Sequence, residues 1–188
     1  MLSSSHRLYR SIGKIDSNGL ASIKAALAAG ITQVDGYVYP CICCSACGDA
    51  QHQMQEVNTL LTQGGVSIDT LWLDIERSDK TCDSTQSCGD WSSDHSINQD
   101  FITSLISEGA ALGIKMGVYT NKNNWEEIVG SDWTYAASKG LGLWYAHYDN
   151  NPSFDDFQAF GGWQTPTIKQ YLGDKSSCGV DLDYNWRP

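Results

Sequence analysis

The sequence predicts an α/β fold in which the strands of a parallel sheet alternate with helices and form an irregular barrel. Apolar residues recur first at helical spacing and then in short continuous runs, and Gly or Pro separates most of these segments. Strand runs separated by helices are typical of βαβ units, which form parallel sheets. The last three strand runs leave little room for helices between them, so we expect the barrel to be irregular.

The predicted helices have clear stops, and the predicted strands are short. A helix over residues 18–29 can be capped by one of the polar residues at 16–18 and ends at Gly30, and the next strand, over residues 31–39, ends at Pro40. Further helices are predicted over residues 50–62, 97–112 and 123–129. Further strands are predicted over residues 70–75, 114–119, 143–148, 168–171 and 180–183.

Composition and charge exclude several classes of protein. Hydrophobic residues make up 41% of the 188 residues and charged residues 18%, which excludes intrinsic disorder. No apolar run approaches the roughly 18–20 residues that a membrane-spanning helix needs. The net charge of −10 opposes binding to nucleic acid or to anionic membrane surfaces. We therefore expect a single domain over residues 1–188 that acts as a monomer, with no nucleic-acid or membrane partner.

Seven cysteines in a chain of this size indicate an oxidising compartment, and the odd number leaves at least one without a partner in this chain. The compact cluster at residues 41–47 also allows a zinc knuckle, but no second CxxC or His pair closes it. We expect disulfides, one of them between Cys82 and Cys88. The first ten residues contain no apolar stretch of the kind found in a signal peptide.

A metal or cofactor is not expected. Residues 149–156 resemble the start of a calcium-binding EF-hand loop, but Phe154 stands where that loop needs Gly and Phe160 where it needs Glu. The four histidines show no paired ligand spacing, and we interpret His147 as a hydrogen-bonded histidine. No phosphate-binding loop, dinucleotide glycine fingerprint or nucleophile elbow is present.

The most informative segment is Leu-Trp-Leu-Asp-Ile-Glu at residues 71–76. Side chains alternate along a strand, so Asp74 and Glu76 project to one side, at the end of the strand where barrel active sites lie. Close carboxylates shift each other's pKa values apart, so that one can be a general acid while the other stays ionised, and glycoside hydrolysis needs such a pair. For an isolated Asp-X-Glu, solvated acids at a strand end are the more common explanation.

The other predicted strands also end in acidic, amide or aromatic side chains. Aromatic rings pack against the C–H faces of sugars, and carboxylates and amides hydrogen-bond their hydroxyls, although any single aromatic residue is more often core packing. The repetition over five strands favours a site. Its candidates are Asp35, Tyr37, Tyr39, Tyr119, Trp144, Tyr148, Gln170, Tyr171, Asp181 and Asp183.

Seven stretches of the sequence together resemble family 25 of the glycoside hydrolases, the lysozymes or N-acetylmuramidases, in the branch found in lower eukaryotes. The stretches run in family order and span nearly the whole chain. They are Val-Asp-Gly-Tyr-Val-Tyr-Pro-Cys at 34–41, Leu-Trp-Leu-Asp-Ile-Glu at 71–76, Gly-Val-Tyr-Thr at 117–120, Leu-Trp-Tyr-Ala-His-Tyr-Asp-Asn at 143–150, Phe-Gly-Gly-Trp at 160–163, Ile-Lys-Gln-Tyr at 168–171 and Cys-Gly-Val-Asp-Leu-Asp at 178–183.

The resemblance implies a flattened, irregular β/α barrel that cleaves the β-1,4 bond between N-acetylmuramic acid and N-acetylglucosamine in peptidoglycan. It implies that Glu76 is the general acid, Asp74 its carboxylate partner and Asp181 a further acid, with Asp183 as the near alternative. Tyr37, Tyr119 and Tyr148 are similar to residues that line the substrate, and the strand-end pattern adds Asp35, Trp144 and Gln170. Inverting and retaining stereochemistry both stay open.

One expected segment has no match in the sequence. The family begins with a strand that carries a Gly-X-Asp-X-Ser type motif, and nothing before Leu8 resembles it, whereas residues 8–13 resemble the end of the second strand and its turn. We therefore expect the first strand, the first helix and a signal peptide to be missing from this sequence. The cysteines and the family together predict a secreted protein or one of the lysosomal or phagosomal lumen.

Two other functions fit the same residues. A catalytically impaired homologue would keep the aromatic groove and bind carbohydrate without turnover. A chitinase-like glycosidase also uses Asp-X-Glu on a barrel strand, but its longer motif needs further aspartates at Trp72 and near Thr70.

Overall fold

The computed structural model describes residues 3–42, 47–78, 91–177 and 179–188. Within them, eight strands and five helices follow one another along the chain. The elements are β1 (Ser3–Arg10), β2 (Lys14–Ile15), α1 (Ser17–Ala28), β3 (Gln33–Val38), α2 (Ala50–Gly64), β4 (Leu71–Asp74), α3 (His95–Ala111), β5 (Met116–Thr120), α4 (Lys122–Val129), α5 (Tyr135–Ser138), β6 (Gly142–Ala146), β7 (Ile168–Ser177) and β8 (Val180–Trp186).

All eight strands form one sheet in the order β2-β1-β3-β4-β5-β6-β7-β8. The six strands from β1 to β7 in this order are parallel, and β2 and β8 pair antiparallel at the two edges. The sheet curls into a half-barrel, because Arg187, just after β8, contacts Asp35 on β3 at 3.4 Å. The predicted α/β class and irregular barrel are therefore confirmed, with β2 and β8 as the edges of the described sheet.

The predicted and observed elements differ mainly at the two ends of the described chain. β1 begins at Ser3, although its first residues are polar, and β7 and β8 are much longer than predicted. Only two residues separate β7 from β8, too few for the crossover that a parallel pair requires, so these strands form an antiparallel hairpin. The four-residue helix α5 was not predicted.

Short polar residues fix the starts of the helices. The predicted cap of α1 is confirmed, since the Asp16 side chain accepts a hydrogen bond from Asn18 N at 3.2 Å. Asp49, Asp94 and Asn121 cap α2, α3 and α4 in the same way. Within α1, a Cβ on Gly19 would lie 1.7 Å from the Arg7 carbonyl oxygen, so only glycine lets this helix approach β1 so closely.

The curled sheet has a different apolar layer on each face. The larger layer lies between the convex face and the helices and contains buried residues such as Leu8, Leu73, Ile75 and Val118. The smaller layer lies on the concave face and consists of Trp72, Tyr119, Trp144 and Ile168, with Tyr37 and Ala146 packed against it. The concave face is therefore mostly aromatic beneath the strand ends.

The cysteine prediction is confirmed in one place. Cys41 and Cys47, both buried, form a disulfide that closes the segment between β3 and α2. This pairing favours the disulfide interpretation over a zinc knuckle. Cys43, Cys44 and Cys178, and the predicted disulfide between Cys82 and Cys88, lie outside the described residues. Among the described helices, none is long and apolar enough to cross a membrane.

Candidate active site

The two acids of the Asp-Ile-Glu stretch lie at the carboxyl end of β4, on the concave face. The neighbouring strand β5 fixes this end, because Ile75 N donates to Tyr119 O at 2.9 Å and Thr120 Oγ1 donates to Ile75 O at 2.7 Å. Ile75 is buried in the helix-side layer. Asp74 and Glu76 therefore project together to the opposite side, as strand alternation predicts.

Burial dominates the electrostatics of this acid pair. Asp74 is 7% exposed, and its Oδ1 has no hydrogen-bond partner within the described part of the chain. Burial raises the pKa of Asp74 well above its ordinary value, the charge of Glu76 raises it further, and the Arg7 guanidinium partly offsets both effects. Burial also raises the pKa of Glu76, as does the charge of Asp183. The pair therefore holds a proton to a higher pH than free carboxyl groups would.

A hydrogen-bonded group from four different segments lies beside the acid pair and forms one wall of the site. Tyr119 OH and Tyr148 OH both donate to Gln170 Oε1, at 2.6 and 2.7 Å, and the two hydroxyl oxygens are 3.2 Å apart. Gln170 Nε2 donates to Asp183 Oδ2 at 3.0 Å. Burial raises the pKa of Tyr119 and of Tyr148, so both hydroxyls stay neutral hydrogen-bond donors. Gln170 thus joins two other predicted site residues, Tyr119 and Tyr148, to Asp183 on the hairpin.

The hairpin brings Asp183, and not Asp181, to this wall. Besides its bond with Gln170, Asp183 accepts a hydrogen bond at Oδ1 from Asp174 N at 3.0 Å. Asp181 pairs with Ser176 near the turn of the hairpin, where it is exposed. Asp181 and Asp183 are two residues apart and share one face of β8, but Asp181 lies closer to the turn and farther from Gln170. Of the two alternatives that the sequence leaves open, the structure places Asp183 at the wall.

Aromatic side chains form the floor of the concave face. The Trp144 ring packs edge-on against those of Trp72 and Tyr119, with centroids 5.7 and 5.0 Å apart, and half-buried Tyr37 packs against this group. A Cβ on Gly117 would lie 2.3 Å from the Trp72 ring, so glycine is needed there for this indole to lie across the sheet. Trp144 Nε1 donates to Asn185 Oδ1 at 2.8 Å, which ties the floor to the hairpin.

Asp35 lies in the floor itself and not at the exposed end of its strand. It is 3% exposed, and its Oδ2 accepts hydrogen bonds from Trp72 Nε1 at 3.0 Å and from Arg187 Nη2 at 3.4 Å. Burial raises the pKa of Asp35, and the Trp72 hydrogen bond and the Arg187 charge offset part of that effect. The structure therefore places Asp35 where it supports the indole from below.

Two residues near the acids were missed by sequence reasoning. Trp91 Nε1 donates to the Glu76 carbonyl oxygen at 2.9 Å, which helps to hold the backbone of the acid. Arg7 lies on the concave face of β1 and acts electrostatically on Asp74. The polar run before Leu8 gave no strand pattern from which the position of Arg7 could be predicted, and Trp91 follows a polar stretch of sequence with no periodicity.

A second polar cluster lies behind the site, on the convex side of β7. The ammonium group of Lys169, which is fully buried, donates to Asp149 Oδ2 and Asp156 Oδ1, each at 2.7 Å. His147 Nδ1 contacts Asp156 as well, so the expected hydrogen bond of this histidine is confirmed. His147, Asp149 and Asp156 could converge on a metal ion. The ammonium already occupies the space between the two carboxylates, which makes this cluster an internal ion-pair network.

The concave face combines the parts that glycoside hydrolysis requires. Asp74 and Glu76 form a partly desolvated acid pair, hydroxyl and amide groups lie beside it, and an aromatic floor lies beneath it. A carboxylic acid with a raised pKa can protonate a leaving oxygen, and a nearby carboxylate stabilises the positive charge that develops on the sugar. The aromatic rings suit the apolar faces of sugar rings.

Comparison with known proteins identifies the family. The sequence matches the family model described as "Lysozyme-like protein 1" over residues 3–171. "Lysozyme-like protein 5" of Caenorhabditis elegans is 39% identical over 183 residues, which cover 97% of this chain and 79% of that protein. "Probable GH family 25 lysozyme 4" of Dictyostelium discoideum is 40% identical over 182 residues, which cover 97% of this chain and 78% of that protein.

Solved structures show the same fold. A muramidase from Acremonium alcalophilum superposes with a TM-score of 0.70 at 18% identity, over 99% of this chain and 82% of that one. A family 25 lysozyme from Aspergillus fumigatus superposes with a TM-score of 0.64 at 20% identity, over 99% of this chain and 80% of that one. These two structures share the fold, whereas the family model and the two relatives also share sequence with this chain. Because of that match in sequence, the chain belongs to the lysozyme-like proteins of glycoside hydrolase family 25.

Proposed function

We propose that this protein is a lysozyme that hydrolyses the β-1,4 bond between N-acetylmuramic acid and N-acetylglucosamine in bacterial peptidoglycan. The observation that carries the proposal is the buried acid pair Asp74 and Glu76, whose pKa values are both raised, at the carboxyl end of a central strand. The lysozyme names of its relatives favour this activity over a chitinase-like enzyme or a non-catalytic binding protein.

The positions of the two acids support different roles for them. Glu76 lies beyond the end of β4 and is only partly buried, so it can reach a glycosidic oxygen and protonate it. Asp74 is nearly enclosed and shares the proton of the pair with Glu76. When that proton lies on Glu76, the ionised Asp74 is the carboxylate partner that stabilises the developing positive charge. Asp183 takes the place of the third acid in this proposal, since it contacts Gln170 whereas Asp181 lies near the hairpin turn.

The predicted substrate-binding residues take two positions around this pair. Tyr119, Tyr148 and Gln170 present hydroxyl and amide groups to the sugar hydroxyls. Tyr37 and Trp144 supply the aromatic surface beneath them. Asp35 acts through the Trp72 indole that it holds, and we propose it as a positioning residue.

The function is tested by the clearing of bacterial cell walls and by chromatography of the products. Wild-type protein should lower the turbidity of a peptidoglycan suspension and release muramic-acid reducing ends. Glu76→Gln should lower the rate by roughly 10²–10⁴-fold, the usual contribution of a general acid. Glu126→Gln, at a half-exposed position on α4, is the matched control and should clear at the wild-type rate. Equal clearing by Glu76→Gln and wild type would remove the catalytic assignment.

We further propose that residues 1–188 act as one monomeric domain in an oxidising and acidic space, outside the cell or in a lysosomal or phagosomal lumen. The buried Cys41–Cys47 disulfide supports the oxidising compartment. The raised pKa of Glu76 supports an acidic one, where this acid stays protonated more readily. An activity optimum at or above neutral pH would contradict the acidic compartment, and light scattering at working concentration tests the monomer.

A further inference from the structure

We infer that Arg7 is a specificity-determining residue that binds a carboxylate carried by the substrate on the lactyl side of its muramic acid ring. The inference rests on the proposed function and adds a recognition contact to the same site. The lactyl ether is what distinguishes N-acetylmuramic acid from N-acetylglucosamine. Its acid group is free in peptide-free glycan, and where a peptide is attached the free carboxylates belong to that peptide.

The strand register places Arg7 on the concave face. β1 and β3 are parallel, with Ser5 opposite Asp35 and Arg7 opposite Tyr37. Asp35 and Tyr37 both face the concave side, and alternation along β1 puts Ser5 and Arg7 on that side too. The next residue, Leu8, is buried in the helix-side layer, as alternation requires. Arg7 therefore lies beside Tyr37 on the concave face.

One hydrogen bond fixes the guanidinium, and its other donors are available. Arg7 Nε donates to Asp16 Oδ2 at 2.9 Å, and the Arg7 side chain is 45% exposed. Asp16 is held in turn as the cap of α1. Within the described residues, no hydrogen bond engages Nη1 or Nη2 of Arg7. The two terminal nitrogens form the planar pair of donors that binds a carboxylate in bidentate fashion.

The acids of the site disfavour an anionic substrate, and a cation beside them offsets part of that effect. The charge of Asp183 raises the pKa of Glu76, and the charge of Glu76 raises the pKa of Asp74, so the three acids lie close together and repel a substrate carboxylate. Arg7 counteracts part of this field, since its charge lowers the pKa of Asp74 and of Tyr37. Arg187, the other arginine on the described concave face, is already engaged with Asp35.

The test measures binding and cleavage with ligands that differ only at the carboxylate. The ligands are the muramic acid–glucosamine disaccharide, its lactyl carboxamide, a peptide-bearing disaccharide and the chitin disaccharide. Calorimetry compares wild type, Arg7→Met, Arg7→Lys and the control Arg10→Met, an exposed arginine on the same strand. Arg7→Met should weaken binding of a carboxylate-bearing ligand about tenfold, the usual effect of losing a charged hydrogen bond. Binding of the carboxamide and of the chitin disaccharide should change less than twofold.

The pattern across ligands identifies the source of the carboxylate. A tenfold loss with the peptide-free disaccharide assigns the lactyl group, and a loss confined to the peptide-bearing ligand assigns the peptide. Arg7→Lys should recover part of the affinity, because it keeps the charge but loses the planar pair of donors. In cleavage assays, Arg7→Met should raise KM more than it lowers kcat, and Arg7→Lys, which keeps the charge near Asp74, should leave the pH profile of kcat unchanged.

Two results would overturn the inference. Equal weakening of all four ligands by Arg7→Met would show that Arg7 acts through the fold or through Asp74 and not through the substrate carboxylate. No binding of any ligand by the wild type would also remove the inference. Binding that depends on Arg7 without cleavage by the wild type would instead remove the proposed function and leave the carboxylate contact standing.

Discussion

Two neighbouring residues of β7, Lys169 and Gln170, face opposite sides of the sheet and belong to two different groups of carboxylates. On the convex side, the buried ammonium of Lys169 binds Asp149 and Asp156 directly. On the concave side, Gln170 is a neutral partner of Asp183, and no cation contacts Asp74 within the described residues. The two groups contain the same kind of acid in opposite electrostatic states.

The pKa shifts follow from this difference. Burial alone would raise the pKa of Asp149 and of Asp156, but the hydrogen bonds from Lys169 outweigh it and lower both. Burial would lower the pKa of Lys169, and its two carboxylate partners raise it instead. Asp74 has no such partner, so burial raises its pKa. The convex group stabilises the fold, and the concave group is held in a costly state that suits proton transfer.

The largest expected effect comes from removing the concave charge. Asp74→Asn should lower kcat/KM by about 10²–10⁴-fold, because the developing positive charge loses its carboxylate partner. The free energy of unfolding at pH 7 should nevertheless rise, since a desolvated charge is gone. Cell-wall clearing and urea denaturation measure the two quantities. Asp155→Asn, at an exposed position, is the matched control, and a less stable Asp74→Asn variant would break the comparison.

The convex group should behave in the opposite way. Lys169→Met should lower the free energy of unfolding by about 3 kcal/mol, because two carboxylates lose a buried partner. Urea denaturation followed by circular dichroism measures the change. The control Lys24→Met, on the exposed side of α1, should change stability by less than about 0.5 kcal/mol. A loss below about 1 kcal/mol for Lys169→Met would mean that the network contributes little.

A smaller effect separates the two aspartates of β8. Asp183→Asn should lower kcat/KM about tenfold, because the Gln170 amide loses a charged acceptor and the wall that holds Tyr119 and Tyr148 loosens. Asp181→Asn, on the same face but near the turn, should stay within twofold of wild type. Equal losses in both variants would remove the preference for Asp183.

The smallest expected effect is a change with pH in the stability of Asp74→Asn and of Lys169→Met relative to wild type. The free energy of unfolding should change by about 1 kcal/mol over the pH range in which the protein stays folded. The pKa of Asp74 is raised, so its cost is present at neutral pH and disappears as the pH falls towards the ordinary aspartate value of about 4. The extra stability of the Asp74→Asn variant over wild type should therefore vanish between neutral pH and about pH 4. Asp149 and Asp156 have lowered pKa values, so the loss in Lys169→Met should persist through it and shrink only below about pH 4.

At high pH the Lys169 ion pairs should respond, whereas Asp74 should not. The pKa of Lys169 is raised, so its stabilisation is complete below the ordinary lysine value of about 10.4 and is lost as the pH rises through the higher value in the folded protein. Urea denaturation at a series of pH values measures both windows. Parallel curves for the Asp74 and Lys169 variants would contradict the assignment of opposite electrostatic states.

Much of the concave face could be predicted from strand alternation. The Asp74 and Glu76 pair follows from a regular strand, and the positions of Tyr119 and Gln170 follow from theirs, because these strands are short and parallel and their carboxyl ends meet. The same rule placed Asp35 on the correct face. Alternation does not tell how deeply a side chain is buried, and Asp35 lies in the aromatic floor instead of at the exposed end of its strand.

The rest of the site depends on contacts that periodicity does not encode. Residues 3–7 are mostly polar, so nothing marked β1 as a strand that carries Arg7 into the cleft. In the sequence, the acids at 149 and 156 resembled part of an ion-binding loop. In the structure their cation is the ammonium group of Lys169, which lies on a separate strand, so their spacing could not reveal it. Such pairings join distant segments and are visible only once the sheet is assembled.

The face of the sheet on which Asp183 lies depends on the pairing register of the hairpin formed by β7 and β8. β7 and β8 pair with two irregularities, one between Gln170 and Leu172 and one between Leu172 and Lys175. At each of them β7 carries one residue more than β8, so the alternation along β8, and with it the face of Asp183, is unchanged. Inserting one residue into β8 between Asp183 and Asn185 would instead turn Asp183 to the other face and away from Gln170. The contact between Gln170 and Asp183 therefore depends on the length of β8 as well as on the two residues that make it.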